Sequence, residues 1–160
     1  MRLFEDKEYV ERLHVILDKW NGANFKMSAD NPYREIDCGR LIARVFRELG
    51  VFCKLELPDY TPKCWYQHNS RELLLDSLEH HINNFTGKEF TFKKFSSLKE
   101  LLTGDILVMK SARSKAFNHI GIVDGNRVFS ADVGGVKHRQ INTHVETLTY
   151  RIYKCQQQQA

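Results

Sequence analysis

Asp37-Cys38-Gly39-Arg40-Leu41-Ile42-Ala43-Arg44-Val45-Phe46-Arg47-Glu48-Leu49-Gly50 is the stretch on which the fold turns. Leu41, Ile42, Val45, Phe46 and Leu49 recur at helical spacing and line one face, with Arg40, Arg44 and Arg47 on the other. Asp37 suits an N-cap, because its carboxylate can accept the free N–H groups of a first turn. Gly50 suits the far end, where glycine takes the left-handed conformation at little cost. The spacing therefore predicts a helix that carries Cys38 in its first turn. Unpaired N–H groups and a partial positive charge at such an end favour an ionised sulfur.

A thiolate that acts as a nucleophile needs a base. Asn118-His119-Ile120-Gly121-Ile122-Val123 supplies a histidine at the start of an apolar strand, where an imidazole can accept and return a proton near neutral pH. Cys38 and His119 are the pair expected to carry chemistry.

Outward from these two pieces, Val10, Leu13, Ile16, Leu17 and Trp20 predict an N-terminal helix that stops at Asn21-Gly22. Residues 23–36 are polar and irregular, with Pro32, and predict a loop leading into the cysteine. A third helix is expected from Ser70 to about Phe85, with Leu73, Leu74, Leu78, Ile82 and Phe85 inward. Between the second and third helices, Pro58, Tyr60, Pro62, Trp65 and Tyr66 predict a long ordered loop over a groove. After residue 104 the pattern becomes extended, at 106–109, 119–123, 127–131, 136–141 and 147–153, with turns at Asp124-Gly125-Asn126 and Gly134-Gly135. Helices first and an antiparallel meander afterwards make an α+β layout in which the Cys38 helix packs on the sheet carrying His119.

At 160 residues, 42% hydrophobic and 28% charged, the chain reads as one domain over 1–160, with 156–160 a frayed tail. The net charge of +4 is spread along the chain, so neither a nucleic-acid stripe nor a membrane surface is expected as partner. The first residues, Met1-Arg2-Leu3-Phe4-Glu5-Asp6-Lys7-Glu8, lack the apolar core of a secretory leader. The expectation is synthesis in the cytoplasm, with a phage tail or the cell wall as the place of action. Cys38, Cys53, Cys64 and Cys155 form no CxxC pair, which predicts reduced thiols, one reactive and three bystanders. Cys53, Cys64, His68, His80 and His81 fall close together but match no finger or ribbon spacing, so no metal or cofactor is expected. His138 and His144 read as residues of exposed strands or turns.

The quoted pieces resemble the NlpC/P60 cysteine peptidases. Residues 37–50 resemble the nucleophile helix of that family, with its DC dipeptide and terminal "ELG". Leu101-Leu102-Thr103-Gly104-Asp105-Ile106-Leu107-Val108 is similar to its "L-x-x-G-D-L-V" segment, and residues 118–123 to its "H-V-G-I" strand. Trp20-Asn21-Gly22-Ala23-Asn24-Phe25 is similar to a "W-x-G-x-x-F" turn of phage-type members. The resemblance implies a papain-like fold and hydrolysis of peptidoglycan stem peptides through an acyl-enzyme intermediate. It also implies a phage tail or other delivery assembly as a partner.

One position departs from the pattern. Many members place a second histidine on the next strand, and Arg127-Val128-Phe129-Ser130-Ala131 puts Ser130 there. A hydroxyl stabilises an imidazolium less than a charged group would. Site residues are thus expected at Cys38, His119 and Ser130, with backbone N–H groups of the Cys38 helix, and Tyr33 beside them, for the oxyanion. The alternatives are a catalytically weak member of the same fold serving as a structural or binding protein, such as a tail component, and an amide acyltransferase using the same thiol.

Overall fold

Among the described residues of the computed structural model, 1–57 and 72–156, three α-helices share one apolar core with a six-stranded antiparallel sheet. The expected loop of Pro58, Tyr60, Pro62, Trp65 and Tyr66 lies outside the described residues, as do Cys64, His68, Ser70 and most of the glutamine tail. The helices are α1 (Lys7–Trp20), α2 (Cys38–Glu48) and α3 (Leu73–Phe85). On α3, Leu74 and Leu78 are buried as expected, while Leu73, Ile82 and Phe85 are half-buried and His81 takes an inward place.

Residues 23–36 depart from a plain loop. They form a small sheet of two-residue strands, β1 (Asn24–Phe25), β2 (Asp30–Asn31) and β3 (Glu35–Ile36), in the order β1-β3-β2. This sheet ends directly at Asp37 and so fixes the direction from which the chain enters α2.

The large sheet is built from β4 (Phe90–Phe95), β5 (Ile106–Met109), β6 (His119–Asp124), β7 (Arg127–Asp132), β8 (Gly135–Gln140) and β9 (Thr147–Lys154). Strands β5 to β8 run as the expected meander. The last strand does not extend it: β9 returns to pair with β5 on one side and β4 on the other, giving the order β4-β9-β5-β6-β7-β8. Strand β4 lies outside the stretches expected to be extended, and among the described residues it pairs with β9 alone.

Alternation along the strands sorts residues between two faces. Ile106, Val108, Ile120, Ile122, Phe129, Ala131, Tyr150 and Ile152 face the helices. Leu107, Met109, Val123 and Val128 form a second cluster on the opposite face with Leu98, Leu101, Ile141 and Val145. Burial on both faces explains why β5 reads as an unbroken apolar run. Helix α2 packs on β6 and β7, and its buried apolar residues are Leu41, Ile42, Ala43, Val45 and Phe46.

Strands β6 and β7 approach closely at one place. A Cβ on Gly121 would strike the Val128 side chain and lie 2.9 Å from the Phe129 carbonyl oxygen, so the glycine of His-Ile-Gly-Ile is a steric requirement. The β6–β7 register runs from Asp124↔Arg127 to Ile122↔Phe129 and stops short of Ile120, at the end of the sheet where α2 begins.

Candidate active site

Cys38 is the first residue of α2, and its cap is built as the sequence predicts. The Asp37 carboxylate accepts the Arg40 N–H at 2.8 Å and the Ser28 N–H at 3.0 Å, which closes the first turn and ties the preceding loop to it. The same carboxylate pairs with the Arg40 guanidinium at 2.5 Å. Arg40 therefore leaves the solvated face on which its spacing placed it. It is 5% exposed, as is Asp37, because the buried carboxylate requires a cation beside it.

The Ile120 and Gly39 backbone N–H groups lie near enough to the Cys38 sulfur to act on it, which places the thiol close to the residue that follows His119. These donors favour the thiolate, but they are outweighed. Burial, with the Asp37 and Asp132 carboxylates adding to it, pushes the Cys38 thiol up to about 12. The sequence leads one to expect a thiol lowered by the helix end. The structure instead places two carboxylates near it and packs it, half-buried, against the apolar core, and both favour the protonated thiol.

His119 opens β6, where three contacts fix the approach of the chain. The Asn118 side chain donates to the Ser111 hydroxyl at 2.8 Å and accepts the Ser111 N–H at 2.9 Å. The Glu72 carboxylate, just before α3, accepts the Phe117 N–H at 3.0 Å. Held in this way, the imidazole places Nε2 3.3 Å from the hydroxyl oxygen of Ser130, which is fully buried on β7. His119 and Ser130 are thus brought together, and the thiol sits against the amide of the residue following the histidine.

Sequence reasoning passes over two neighbours. Arg139 on β8 donates to the Ser130 carbonyl at 2.6 Å, to the Ser130 hydroxyl oxygen at 3.2 Å and to the Gly135 carbonyl at 2.6 Å. Asp132, two residues beyond Ser130, carries one of the charges that act on Cys38. Lys110, Asn118, His119, Ser130, Asp132 and Arg139 line one open cleft. Nothing in the local pattern of β8 marks Arg139; only the pairing of Val128 with Arg139 across the sheet brings its side chain to the face that carries Ser130.

Tyr33 is not at this site. Its hydroxyl donates to Glu48 at 3.3 Å and its ring meets that of Trp20 at 4.8 Å between centroids, tilted by 52°. Glu48 ends α2, about 15 Å along the helix axis from Cys38, so Tyr33 cannot help an oxyanion beside the sulfur. A φ of 61° turns the chain at Tyr33 toward that far end, which closeness in sequence to Cys38 does not reveal.

The remaining histidines and thiols have local roles. His81 is buried; its Nδ1 donates to the Ser77 carbonyl at 3.1 Å and its Nε2 accepts the Glu56 N–H at 3.2 Å. His138 meets Asp124 at 2.9 Å, and His144 is exposed. Cys38, Cys53 and Cys155 are free thiols. Among the described residues no group of His, Cys, Asp and Glu is arranged to hold a metal.

A sequence model of the NlpC/P60 family matches residues 19–154, a span that contains α2, β6, β7 and β8. No curated protein matches the chain.

Proposed function

The chain belongs to the NlpC/P60 family, and from that premise we propose that it is a cysteine hydrolase that cleaves peptidoglycan stem peptides, with Cys38 as nucleophile and His119 as base. The observation that carries the reading is that the Cys38 thiol, in the first turn of α2, lies close to the Ile120 amide, one residue from an imidazole that Ser130 contacts through Nε2. Nδ1 is then the ring nitrogen assigned to the thiol proton.

Because burial and the nearby carboxylates favour the protonated thiol, attack is coupled to proton transfer. As Nδ1 takes the S–H proton, sulfur bonds to the peptide carbonyl carbon and the carbonyl oxygen becomes an oxyanion. A backbone N–H of the first turn of α2 that the Asp37 cap does not take is the donor that would hold it. Collapse breaks the C–N bond, and His119 gives its proton to the departing amine. Water, deprotonated by His119, then hydrolyses the thioester and restores the thiol. Delivery to the wall by a phage tail or another assembly belongs to the same proposal.

A second reading, a catalytically weak member that serves as a binding or structural protein, is favoured by two observations. The thiol is pushed up rather than down, and the β7 residue that meets the imidazole is a serine with a neutral hydroxyl. Mass spectrometry of isolated muropeptides separates the readings. Cleavage by the wild type and none by Cys38→Ala is expected of the hydrolase; intact muropeptides with both proteins overturn it in favour of the second.

A further inference from the structure

The Ser130 hydroxyl oxygen has two hydrogen-bond partners, and they are not alike. Arg139 approaches it at 3.2 Å and His119 Nε2 at 3.3 Å. A guanidinium can only donate, so it occupies a lone pair of the oxygen. The hydroxyl hydrogen then has one acceptor in reach, the imidazole nitrogen, and donating there makes a chain in which each hydrogen bond strengthens the next. Ser130 is fully buried, so water does not compete for that hydrogen. The guanidinium is itself held by the Ser130, Lys137 and Gly135 carbonyls, which fix it at the mouth of the β7–β8 turn.

We infer that Arg139 is a positioning residue that acts on His119 through Ser130, turning the hydroxyl so that it donates to Nε2 and the neutral imidazole carries its hydrogen on Nδ1. This inference rests on the proposed reaction for its consequence, because a base facing the thiol through Nδ1 needs that nitrogen unprotonated. Arg139 is then a restraint on catalysis. The reaction draws on the minor tautomer, in which the Ser130 oxygen accepts from Nε2–H instead. A serine can serve either way because its hydroxyl both donates and accepts, whereas a carboxylate at this position could only accept. The price of the wrong tautomer in a catalytic triad is a lower turnover rate, with binding untouched.

The test reads the ring nitrogens of His119 directly. In 15N-labelled protein, at a pH where the imidazole is neutral, long-range 15N–1H correlation spectra distinguish a protonated Nδ1 from a protonated Nε2. The wild type is expected to show the hydrogen on Nδ1, and Arg139→Lys, which keeps a donor, is expected to match it. Arg139→Met and Ser130→Ala should both move the population toward Nε2–H, and Arg139→Met should add nothing in the Ser130→Ala background. A wild-type spectrum with Nε2 protonated, or an unchanged tautomer in Arg139→Met, overturns the inference. Should Arg139→Met fail to fold once three carbonyls lose their donor, the wild type, Arg139→Lys and Ser130→Ala still decide the matter. On muropeptides, Arg139→Met is expected to raise kcat several-fold at unchanged KM. Absence of cleavage by the wild type counts against the hydrolase reading alone, since the ring-nitrogen spectra judge Arg139 without it.

Discussion

Strand β6 begins and ends on an imidazole contact, and the two ends are built in opposite ways. At the far end Asp124 accepts from His14 on α1 at 2.8 Å and from His138 on β8 at 2.9 Å, so one carboxylate joins two imidazoles and three elements. At the near end His119 meets a neutral hydroxyl, with a cysteine sulfur on the next amide. Imidazole–carboxylate pairing, the usual mark of a proton-transfer site, has gone to the end that binds α1 to the sheet. The arrangement proposed to react lies at the end where the imidazole meets the Ser130 hydroxyl. Under the proposed function, perturbed charge and chemical capacity are therefore separate properties along this strand, and the proposed nucleophile distinguishes them.

The largest effect that could break this contrast is on turnover. His119→Ala is expected to lower kcat/KM for stem-peptide cleavage by roughly 10²–10⁴-fold, while His14→Ala and His138→Ala leave it nearly unchanged. Equal losses at both ends of β6 would erase the distinction.

Next comes the buried pair that seats the sulfur. Arg40→Met leaves the Asp37 carboxylate buried without its cation and should cost about 3–5 kcal/mol in chemical denaturation. A loss near zero would mean that the pair does not hold the start of α2.

A smaller effect belongs to the carboxylate end. Burial raises the Asp124 carboxyl, but the His14 and His138 hydrogen bonds and charges outweigh it and hold the group below the usual aspartate range. A carboxyl lowered in the folded state contributes stability above its unfolded value and loses it as pH falls through the folded one. Asp124→Asn should thus cost about 1 kcal/mol near neutral pH and flatten the loss of stability below about pH 4. Denaturation midpoints across that range would check both, and an acid limb as steep as that of the wild type would contradict the assignment.

The smallest effect is expected at Tyr33. Tyr33→Phe should leave cleavage within about twofold and stability within about 0.5 kcal/mol, since its hydroxyl serves Glu48 at the opposite end of α2. A large loss of kcat would return Tyr33 to the oxyanion.

The parts of the fold legible in the sequence are those whose signals are local. Helix α2 declares itself through its cap, apolar stripe and terminal glycine, and β6 and β7 through apolar runs bracketed by Asp-Gly-Asn and Gly-Gly. Strand β4 is harder to read, because Phe-Thr-Phe-Lys-Lys-Phe alternates only over its first four residues at a sheet edge and takes its meaning from β9, far along the chain. The two-residue strands around Asp30 are too short to leave a pattern. At the site, Cys38 and His119 are marked by their places on α2 and β6. Arg139 is not, because its role depends on cross-strand register and on a side chain that folds back along β8. The rise of the Cys38 thiol was likewise hidden: Asp37 reads as a helpful cap, and only the packed structure sets its charge, that of Asp132 and the burial against the helix end.

The most direct measurement of the whole account is an acid-quenched incubation with muropeptides, followed by mass analysis of the proteolytic fragment that carries Cys38. A thioester, seen as a muropeptide acyl group on the Cys38 sulfur in the wild type and lost in His119→Ala, is the expected result. Cleavage that proceeds at the wild-type rate in Cys38→Ala, with no acyl group on that fragment at any quench time, would contradict it.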